Sequence, residues 1–187
     1  MNDINKSARS NENEIAIVGM ACRFPGANDC EEFWQNIESG VNSIGEIPPQ
    51  RWSVEKYYSP KPNEPNKSIS KWGGFVEGLD LFDADFFGIS PRETQRMEPQ
   101  QRLMLELSWS CIEDAGYSPT QLSGSSVGVF IGACSYESIL LFNEPETIDG
   151  HRVTGTWTCM IPNRVSSYFN FSGPSLPIDT ACSSSRS

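Results

Sequence analysis

The stretch PIDTACSSSRS, residues 177–187, decides how the rest of the sequence is interpreted. An apolar segment runs into a turn of small residues, Cys182 follows, and three serines come directly after it. A nucleophilic cysteine reacts as the thiolate, which is favoured where backbone N–H groups point at the sulfur, as at the start of a helix. Small neighbours also let the backbone bend sharply enough to place N–H groups beside a bound acyl oxygen. Cys182 is therefore a candidate catalytic nucleophile, although a cysteine among Ala and Ser is more commonly a small core residue.

The composition restricts the class of protein and its partners. The 187 residues are enough for one domain with a sizeable core. The formal net charge of -10 argues against a nucleic-acid duplex or an anionic membrane surface as a general partner, since both require basic patches. No apolar run reaches the roughly 18 residues of a membrane-spanning helix, and residues 1–13 are too polar for a signal peptide. These features predict a cytoplasmic protein with no membrane span.

The other cysteines and the single histidine form no pattern typical of a metal site. The cysteines are widely and irregularly spaced, and no two form a CxxC pair; they are at positions 22, 30, 111, 134, 159 and 182. All except Cys182 are interpreted as small buried or half-buried residues in a reducing compartment. His151 has no zinc-like pattern around it and is interpreted as a surface or loop histidine. The residues alone therefore provide no partner base for Cys182.

Three short apolar runs have the length and composition of strands, and the first two are predicted to be buried. They are residues 14–20, 126–132 and 175–179, and the last of them leads to Cys182. Helical patterns lie between the runs, and this order predicts an α/β class with a sheet covered on its faces by helices. Residues 41–74, rich in Pro, Asn, Ser and Lys, are predicted to be a long irregular excursion anchored by interleaved aromatic side chains.

Capping residues mark where the predicted helices begin and end. Asp29 and Glu32 form a capping-box pattern for a first helix, which Gly40 terminates. Ser90, followed by Pro91, has the pattern of a second helix start. Further helices are predicted from Glu98–Pro99 to Gly116, over residues 134–142, and after Pro162.

The string DTACSSS, residues 179–185, resembles the active-site motif of β-ketoacyl synthases, in particular the ketosynthase domains of modular type I polyketide synthases. Other stretches are similar to the same family and occur in its order: IAIVGMACRFPGA (15–27), FW (33–34) with IPPQRW (47–52), WGGFVEGLDLFDADFFGISPRE (72–93), MEPQQRLMLE (97–106), EDAGY (113–117), GVFIG (128–132) and NRVSSYFNFSGPS (163–175). The resemblance runs from about Glu14 to Ser185. It predicts the N-terminal part of a β-ketoacyl synthase domain over residues 14–187, and the polar composition of residues 1–13 predicts a flexible tail before it.

The resemblance implies a thiolase-like fold, in which two similar α/β halves make a layered αβαβα core, with only the N-terminal half present here. It implies a decarboxylative Claisen condensation in polyketide or fatty acid biosynthesis. Cys182 would take an acyl group, as a thioester, from the phosphopantetheine of an acyl carrier protein, and its backbone N–H would contribute to the oxyanion site. A carrier-bound malonyl-type extender would lose CO2 and attack that thioester. No directly bound cofactor and no metal are expected, and a homodimer is expected for the full-length parent.

Three features depart from the family's pattern. The family has two catalytic histidines after the cysteine, whereas the only histidine here, His151, precedes it. The family continues the serines into an apolar helix, whereas this sequence reads Arg186-Ser187. Glu98 stands where the family commonly has Asp, with little effect expected because both acids can cap a helix or accept hydrogen bonds. We therefore expect a truncated chain that is inactive in condensation on its own and poorly soluble, because its packing face would be exposed.

Two other functions remain open at the level of sequence. The chain could be a non-catalytic module that contributes dimerisation and carrier-docking surface to a synthase. Inactive relatives normally replace the nucleophile, and the presence of Cys182 favours the enzyme. A thiolase or another type of acyltransferase is disfavoured by the ordered polyketide-like stretches.

Overall fold

The computed structural model describes residues 14–134 and 150–186, so the tail predicted over residues 1–13 lies outside the described residues. The elements in chain order are α1 (Cys30–Glu38), β1 (Ile44–Glu46), α2 (Val54–Tyr57), β2 (Trp72–Gly74), α3 (Pro91–Thr94), α4 (Pro99–Asp114), α5 (Pro119–Leu122), β3 (Val129–Gly132), α6 (Gly150–Thr156), α7 (Met160–Tyr168), β4 (Ser175–Ile178) and a 3₁₀ helix (Ala181–Arg186). Helices and strands alternate in the second half, as expected for an α/β protein.

The core forms where α7 packs against α4 and against the strand pair β3–β4. Ile161 and Val165 of α7 are buried there with Leu105 of α4 and Ile131 of β3. The two strands are parallel, with Val129 to Gly132 paired to Ser175 to Ile178 in register. Parallel strands need a long crossover connection, and α7 is part of that connection. The strand that leads to Cys182 is therefore held from one side by β3 and covered by α7.

A buried polar network joins the four helices α3, α4, α6 and α7. Gln101 of α4 is 0% exposed, and its Nε2 donates to the carbonyl oxygens of Gly155 and Thr154 in α6, at 2.9 and 3.1 Å. Its Oε1 accepts a hydrogen bond from Arg164 Nε of α7 at 2.6 Å, and Arg164 Nη1 pairs with Glu93 Oε1 of α3 at 2.6 Å. Burial of the Gln101 amide is tolerated because these partners satisfy it. They also satisfy Nε and Nη1 of the largely buried Arg164 guanidinium, whereas Arg164 Nη2 has no hydrogen-bond partner among the described residues. The network fixes α6 and α7 relative to α3 and α4.

The predicted helix starts and stops are confirmed. Asp29 Oδ1 accepts a hydrogen bond from Glu32 N at 2.8 Å at the start of α1, and the Ser90 side chain caps α3. Gly40 and Gly116 follow α1 and α4 with φ values of +63° and +76°, in the left-handed region that favours glycine. α7 begins at Met160, just before the predicted start, and α6 was not predicted.

Residues 41–74 are more ordered than the predicted irregular excursion. β1 and β2 pair antiparallel, with Ile44 opposite Gly74 and Glu46 opposite Trp72, and they close the base of the excursion. Lys71 Nζ and Glu46 Oε1 form an ion pair at 3.0 Å beside this pairing. Each strand has only three residues, so neither shows the alternation of apolar and polar residues that would predict it.

The buried strand predicted over residues 14–20 is wrong. The segment has no strand structure, and Ile15 and Ile17 are 97% and 82% exposed. A strand is stabilised by hydrogen bonds to a neighbouring strand, and over residues 14–134 and 150–186 no strand pairs with this segment. Its end is anchored by Met20 N, which donates to Asp114 Oδ2 of α4 at 2.8 Å.

The strand predicted over 126–132 is shorter, and it is buried on one side only. Ile131 is 8% exposed, whereas Phe130 is 58% exposed on the opposite side of the sheet. The strand predicted over 175–179 is confirmed as β4. The helix predicted over 134–142 lies outside the described residues apart from Cys134. In the described part of the chain, no helix has the length and apolar character needed to cross a membrane.

Candidate active site

A tight turn links β4 to the 3₁₀ helix and presents Cys182. Asp179 Oδ1 accepts a hydrogen bond from Ala181 N at 3.1 Å, the pattern of a turn closed by an aspartate side chain. Ala181 has a φ of +53°, which is unusual for a residue with a Cβ, and the 3₁₀ helix begins there. This is a strand, a strained turn and a helical start in immediate succession, an arrangement that projects the next side chain outward. That side chain is Cys182, and it is exposed.

The serines that follow Cys182 brace the turn. Ser183 Oγ donates to the Thr180 carbonyl oxygen at 2.9 Å. Ser184 Oγ accepts a hydrogen bond from Thr180 N at 2.9 Å and donates to the Ala181 carbonyl oxygen at 2.8 Å. Hydroxyl groups reach nearby backbone groups in this way because their side chains are short. Ser183 and Ser184 therefore hold the backbone on either side of Cys182, which explains the run of small polar residues.

Strand β3 supports the same turn through Gly132. A Cβ built on Gly132 would lie 3.0 Å from both the carbonyl carbon and the carbonyl oxygen of Ser184. Glycine therefore allows the two backbones to approach closely. On the other strand, Ser175 is hydrogen-bonded through its side chain to Ser166 of α7 at 2.9 Å. The position of the turn thus depends on β3, β4 and α7 together.

The remaining cysteines are placed largely as predicted. Cys22, Cys30, Cys111 and Cys159 are half-buried, and no disulfide links the six cysteines, all of which the structure describes. Burial raises the pKa of the Cys111 thiol, which disfavours the reactive thiolate. Cys134 departs from the prediction because it is exposed.

No partner base for Cys182 is found among residues 14–134 and 150–186. His151 lies in α6, half-buried, and its side chain makes no hydrogen bond to Cys182 within these described ranges. Glu98 directly precedes α4, and its side chain does not cap that helix. In the same part of the chain, no group of three or more His, Cys, Asp or Glu residues is arranged to hold a metal ion.

Sequence reasoning missed Gln101 and Arg164, the polar residues whose hydrogen bonds join α4, α6 and α7. Gln101 and Arg164 are polar residues in helices, so the hydrophobic pattern assigns them to the surface. Their only signal in the sequence is that each lies in a stretch that resembles the family, MEPQQRLMLE for Gln101 and NRVSSYFNFSGPS for Arg164. Their burial depends on mutual pairing, which connects residues far apart in the chain.

Comparison with known proteins identifies the family. Residues 12–187 match the family described as Beta-ketoacyl synthase, N-terminal domain. The chain is 44% identical over 181 residues to the polyketide synthase ThaG of Burkholderia thailandensis, covering 96% of this chain and 3% of ThaG. It is 49% identical over 173 residues to the polyketide synthase PksN of Bacillus subtilis, covering 91% of this chain and 3% of PksN. The chain thus spans a small part of the length of these relatives.

Solved structures of ketosynthase domains are also similar. The oxazolomycin ketosynthase domain OzmH KS7 of Streptomyces albus matches with a TM-score of 0.82 and 36% identity, over 92% of this chain and 30% of that one. The ketosynthase from module 6 of the bacillaene synthase of Bacillus subtilis matches with a TM-score of 0.76 and 37% identity, over 91% of this chain and 27% of that one. These matches confirm the predicted thiolase-like α/β fold class, of which the chain forms the N-terminal part. The chain belongs to the β-ketoacyl synthase family and is homologous to the ketosynthase domains of polyketide synthases.

Proposed function

We propose that Cys182 is the acyl-accepting nucleophile of a ketosynthase and that this chain forms the nucleophile-bearing part of that enzyme. The observation that carries the proposal is the exposure of Cys182 on a strained, braced turn directly after β4. Exposure matters because the thiolate must meet a thioester delivered from outside the domain. The turn matters because it fixes the sulfur relative to nearby backbone N–H groups, where a developing oxyanion is stabilised.

The first chemical step is acyl transfer. The Cys182 thiolate attacks the carbonyl carbon of an acyl thioester on the phosphopantetheine of an acyl carrier protein. The tetrahedral oxyanion collapses, the carbon–sulfur bond to pantetheine breaks, and the pantetheine thiolate leaves and takes a proton from solvent. The acyl group remains as a thioester on Cys182. Covalent catalysis of this kind separates loading from carbon–carbon bond formation.

The second step is condensation with a malonyl-type extender on a carrier. The extender loses CO2, and the electron pair of the broken carbon–carbon bond forms an enolate at the adjacent carbon. That carbon attacks the carbonyl of the Cys182 thioester, and the Cys182 thiolate leaves. The resulting β-ketoacyl chain stays on the carrier, for polyketide or fatty acid synthesis. We propose an acyl carrier protein as partner, a homodimer in the full-length parent and a cytoplasmic location, in keeping with the family relationship.

Acylation of Cys182 tests the proposal directly. Incubation of the protein with an acyl-pantetheine thioester, followed by trypsin, isolates Cys182 on the peptide of residues 165–186, which contains no other cysteine. We expect the acyl mass on this peptide and its loss in Cys182→Ala. Cys134→Ala is the matched control, because Cys134 is also exposed. Acylation that persists in Cys182→Ala, or that is equally strong at Cys134, would refute the assignment of the nucleophile.

The 187 residues on their own are proposed to accept an acyl group without forming condensed product. The family's two catalytic histidines follow the cysteine, and the single histidine here, His151, precedes it. A malonyl-carrier added to the acylated protein should therefore give no β-ketoacyl product by mass spectrometry. Detection of that product would contradict this part of the proposal and leave the assignment of Cys182 intact.

A non-catalytic role in dimerisation or carrier docking is the alternative. It is favoured by apolar side chains on the surface, including Leu176 of β4 at 51% exposed and Trp157 at 58% exposed. Acylation of the 165–186 peptide by a carrier-bound acyl group distinguishes the two roles, because a docking module would bind the carrier without forming a covalent adduct.

A further inference from the structure

A second cysteine site lies at the start of α1, where a tight turn brings two thiols together. Phe24 and Ala27 exchange backbone hydrogen bonds, N to O in both directions, at 2.8 and 2.9 Å. Pro25 and Gly26 occupy the two central positions, with Gly26 at a φ of +74°, as in a type II turn. The turn reverses the chain and places Cys22, which precedes it, beside Cys30, the first residue of α1.

Several contacts hold the two arms of this turn in place. The rings of Phe24 and Phe33 lie with their centroids 4.4 Å apart, which joins the arm before the turn to α1. Arg23 Nη1 pairs with Glu106 Oε2 of α4 at 3.0 Å, and Asn36 Nδ2 donates to the Gly26 carbonyl oxygen at 2.7 Å. These contacts fix the backbone on both sides of the turn, so the proximity of Cys22 and Cys30 is a feature of the fold.

The thiols are also accessible to a small oxidant. Cys22 and Cys30 are half-buried, and both line a cavity of about 420 Å³. The cavity is polar, with Asp29, Glu106 and Asp114 in its wall, so water and solutes of similar size can enter it. Two neighbouring thiols that line the same accessible polar cavity are suited to exchange between a dithiol and a disulfide.

We propose that Cys22 and Cys30 are a redox-active pair that hydrogen peroxide converts to a disulfide and that a thiol reductant reopens. The Cys30 sulfur attacks one peroxide oxygen, the O–O bond breaks, and a sulfenic acid forms with release of one water. The Cys22 sulfur then attacks the sulfenic sulfur, its proton goes to the departing hydroxyl, and a second water leaves. In total the two thiols lose two hydrogens and peroxide is reduced to two waters.

The order of these steps follows from the protonation of Cys22. Burial, together with the hydrogen bond to Cys30, raises the pKa of the Cys22 thiol to about 11. Cys22 therefore stays protonated near neutral pH and is slow to attack peroxide itself. It is suited to the second step, in which it meets a sulfenic acid already within contact.

Peptide mapping of the oxidised protein tests the pair. Trypsin cuts after Arg23 and so separates the cysteines, leaving Cys22 on residues 10–23 and Cys30 on residues 24–51. The folded protein is treated with hydrogen peroxide, free thiols are alkylated, and the digest is analysed without reductant. We expect most of the material as these two peptides joined by a disulfide, and we expect dithiothreitol to separate them.

Cys30→Ser and Cys22→Ser should each abolish the joined peptides. Cys111→Ser is the matched control and should retain them, because Cys111 is the other half-buried thiol near Cys30. Two unlinked, alkylated peptides after oxidation would overturn the proposal. A disulfide from Cys30 to Cys111, or sulfinic acid at Cys30, would overturn it as well. These readouts require no catalytic activity, so they are independent of the role of Cys182.

Discussion

Gly132 and Ser184 are in backbone contact, so strand β3 packs directly against the turn that carries Cys182. A Cβ at Gly132 would lie 3.0 Å from the Ser184 carbonyl group and 3.2 Å from its Cβ. Both partners of this contact are main-chain groups, which cannot rotate away as a side chain can. The relationship makes the position of the candidate nucleophile depend on a residue that takes no part in the chemistry.

Gly132→Ala is therefore expected to move the turn. We expect a loss of about 1–3 kcal/mol in the free energy of unfolding and acylation of Cys182 slowed by roughly ten- to a hundredfold. Urea titration and the rate of acyl addition to peptide 165–186 measure the two effects. Gly45→Ala is the matched control, because a Cβ there meets nothing within 4 Å. Equal effects of the two substitutions would show that the contact with Ser184 is unimportant.

Ala181 gives a second test of the turn, because its φ of +53° is costly for any residue with a Cβ. Ala181→Gly removes that cost and should leave the acylation rate unchanged or raise it. Ala181→Val adds a branched Cβ and should lower the free energy of unfolding by about 1–2 kcal/mol while slowing acylation. A valine variant as reactive and as stable as the glycine variant would contradict the left-handed conformation.

Gln101→Ala is expected to be among the most damaging substitutions outside the site. It leaves Arg164 Nε without its partner at 2.6 Å and removes the amide that holds the α6 carbonyl groups. The expected loss in the free energy of unfolding is about 2–4 kcal/mol, measured by urea titration. Gln35→Ala is the control: Gln35 is exposed and its side chain donates to Glu31 at 2.9 Å, so the loss in the free energy of unfolding should be below about 0.5 kcal/mol. Comparable losses would rule out a stabilising role for the buried network.

The Cys22 thiol should react with iodoacetamide in a strongly pH-dependent manner. Because its pKa is raised from 9.0 to about 11, its alkylation in the folded protein should keep rising as pH increases toward 11. The unfolded state loses this proton first, so the contribution of Cys22 to stability is complete below pH 9 and is lost as pH rises from 9 to 11. Labelling of peptide 10–23 follows the reaction, and the same peptide in urea is the control. A folded-state profile that levels off near pH 9 would contradict the raised pKa.

Features encoded by neighbouring residues could be predicted from the sequence. The Asp29 cap of α1 and the glycine stops at Gly40 and Gly116 depend on backbone requirements a few residues apart. The turn around Cys182 belongs to the same class, because Asp179 and Ser184 close it through local hydrogen bonds. Hydrogen bonds of this kind join residues a few positions apart, so the residue pattern that forms them can be recognised in the sequence.

Features that depend on distant partners could not be predicted. The apolar residues 14–20 have the composition of a buried strand, yet a strand also requires a neighbour, and composition does not supply one. The burial of Gln101 required Arg164, and the contact of Cys22 with Cys30 required the turn at Gly26 to reverse the chain. In each case the deciding interaction joins side chains or backbone segments whose proximity exists only in the folded molecule.

The parallel pairing of β3 with β4 also determines when the candidate nucleophile is in place during synthesis. The ribosome delivers β3 first, then the crossover with α6 and α7, and only then β4 and the turn. Until β4 pairs with β3, Ser184 is not in contact with Gly132, and the turn that presents Cys182 is not held in place. The turn around the candidate nucleophile is therefore assembled only after the helices that cover the strand pair have emerged, so a thioester that meets the nascent chain earlier would find no prepared site.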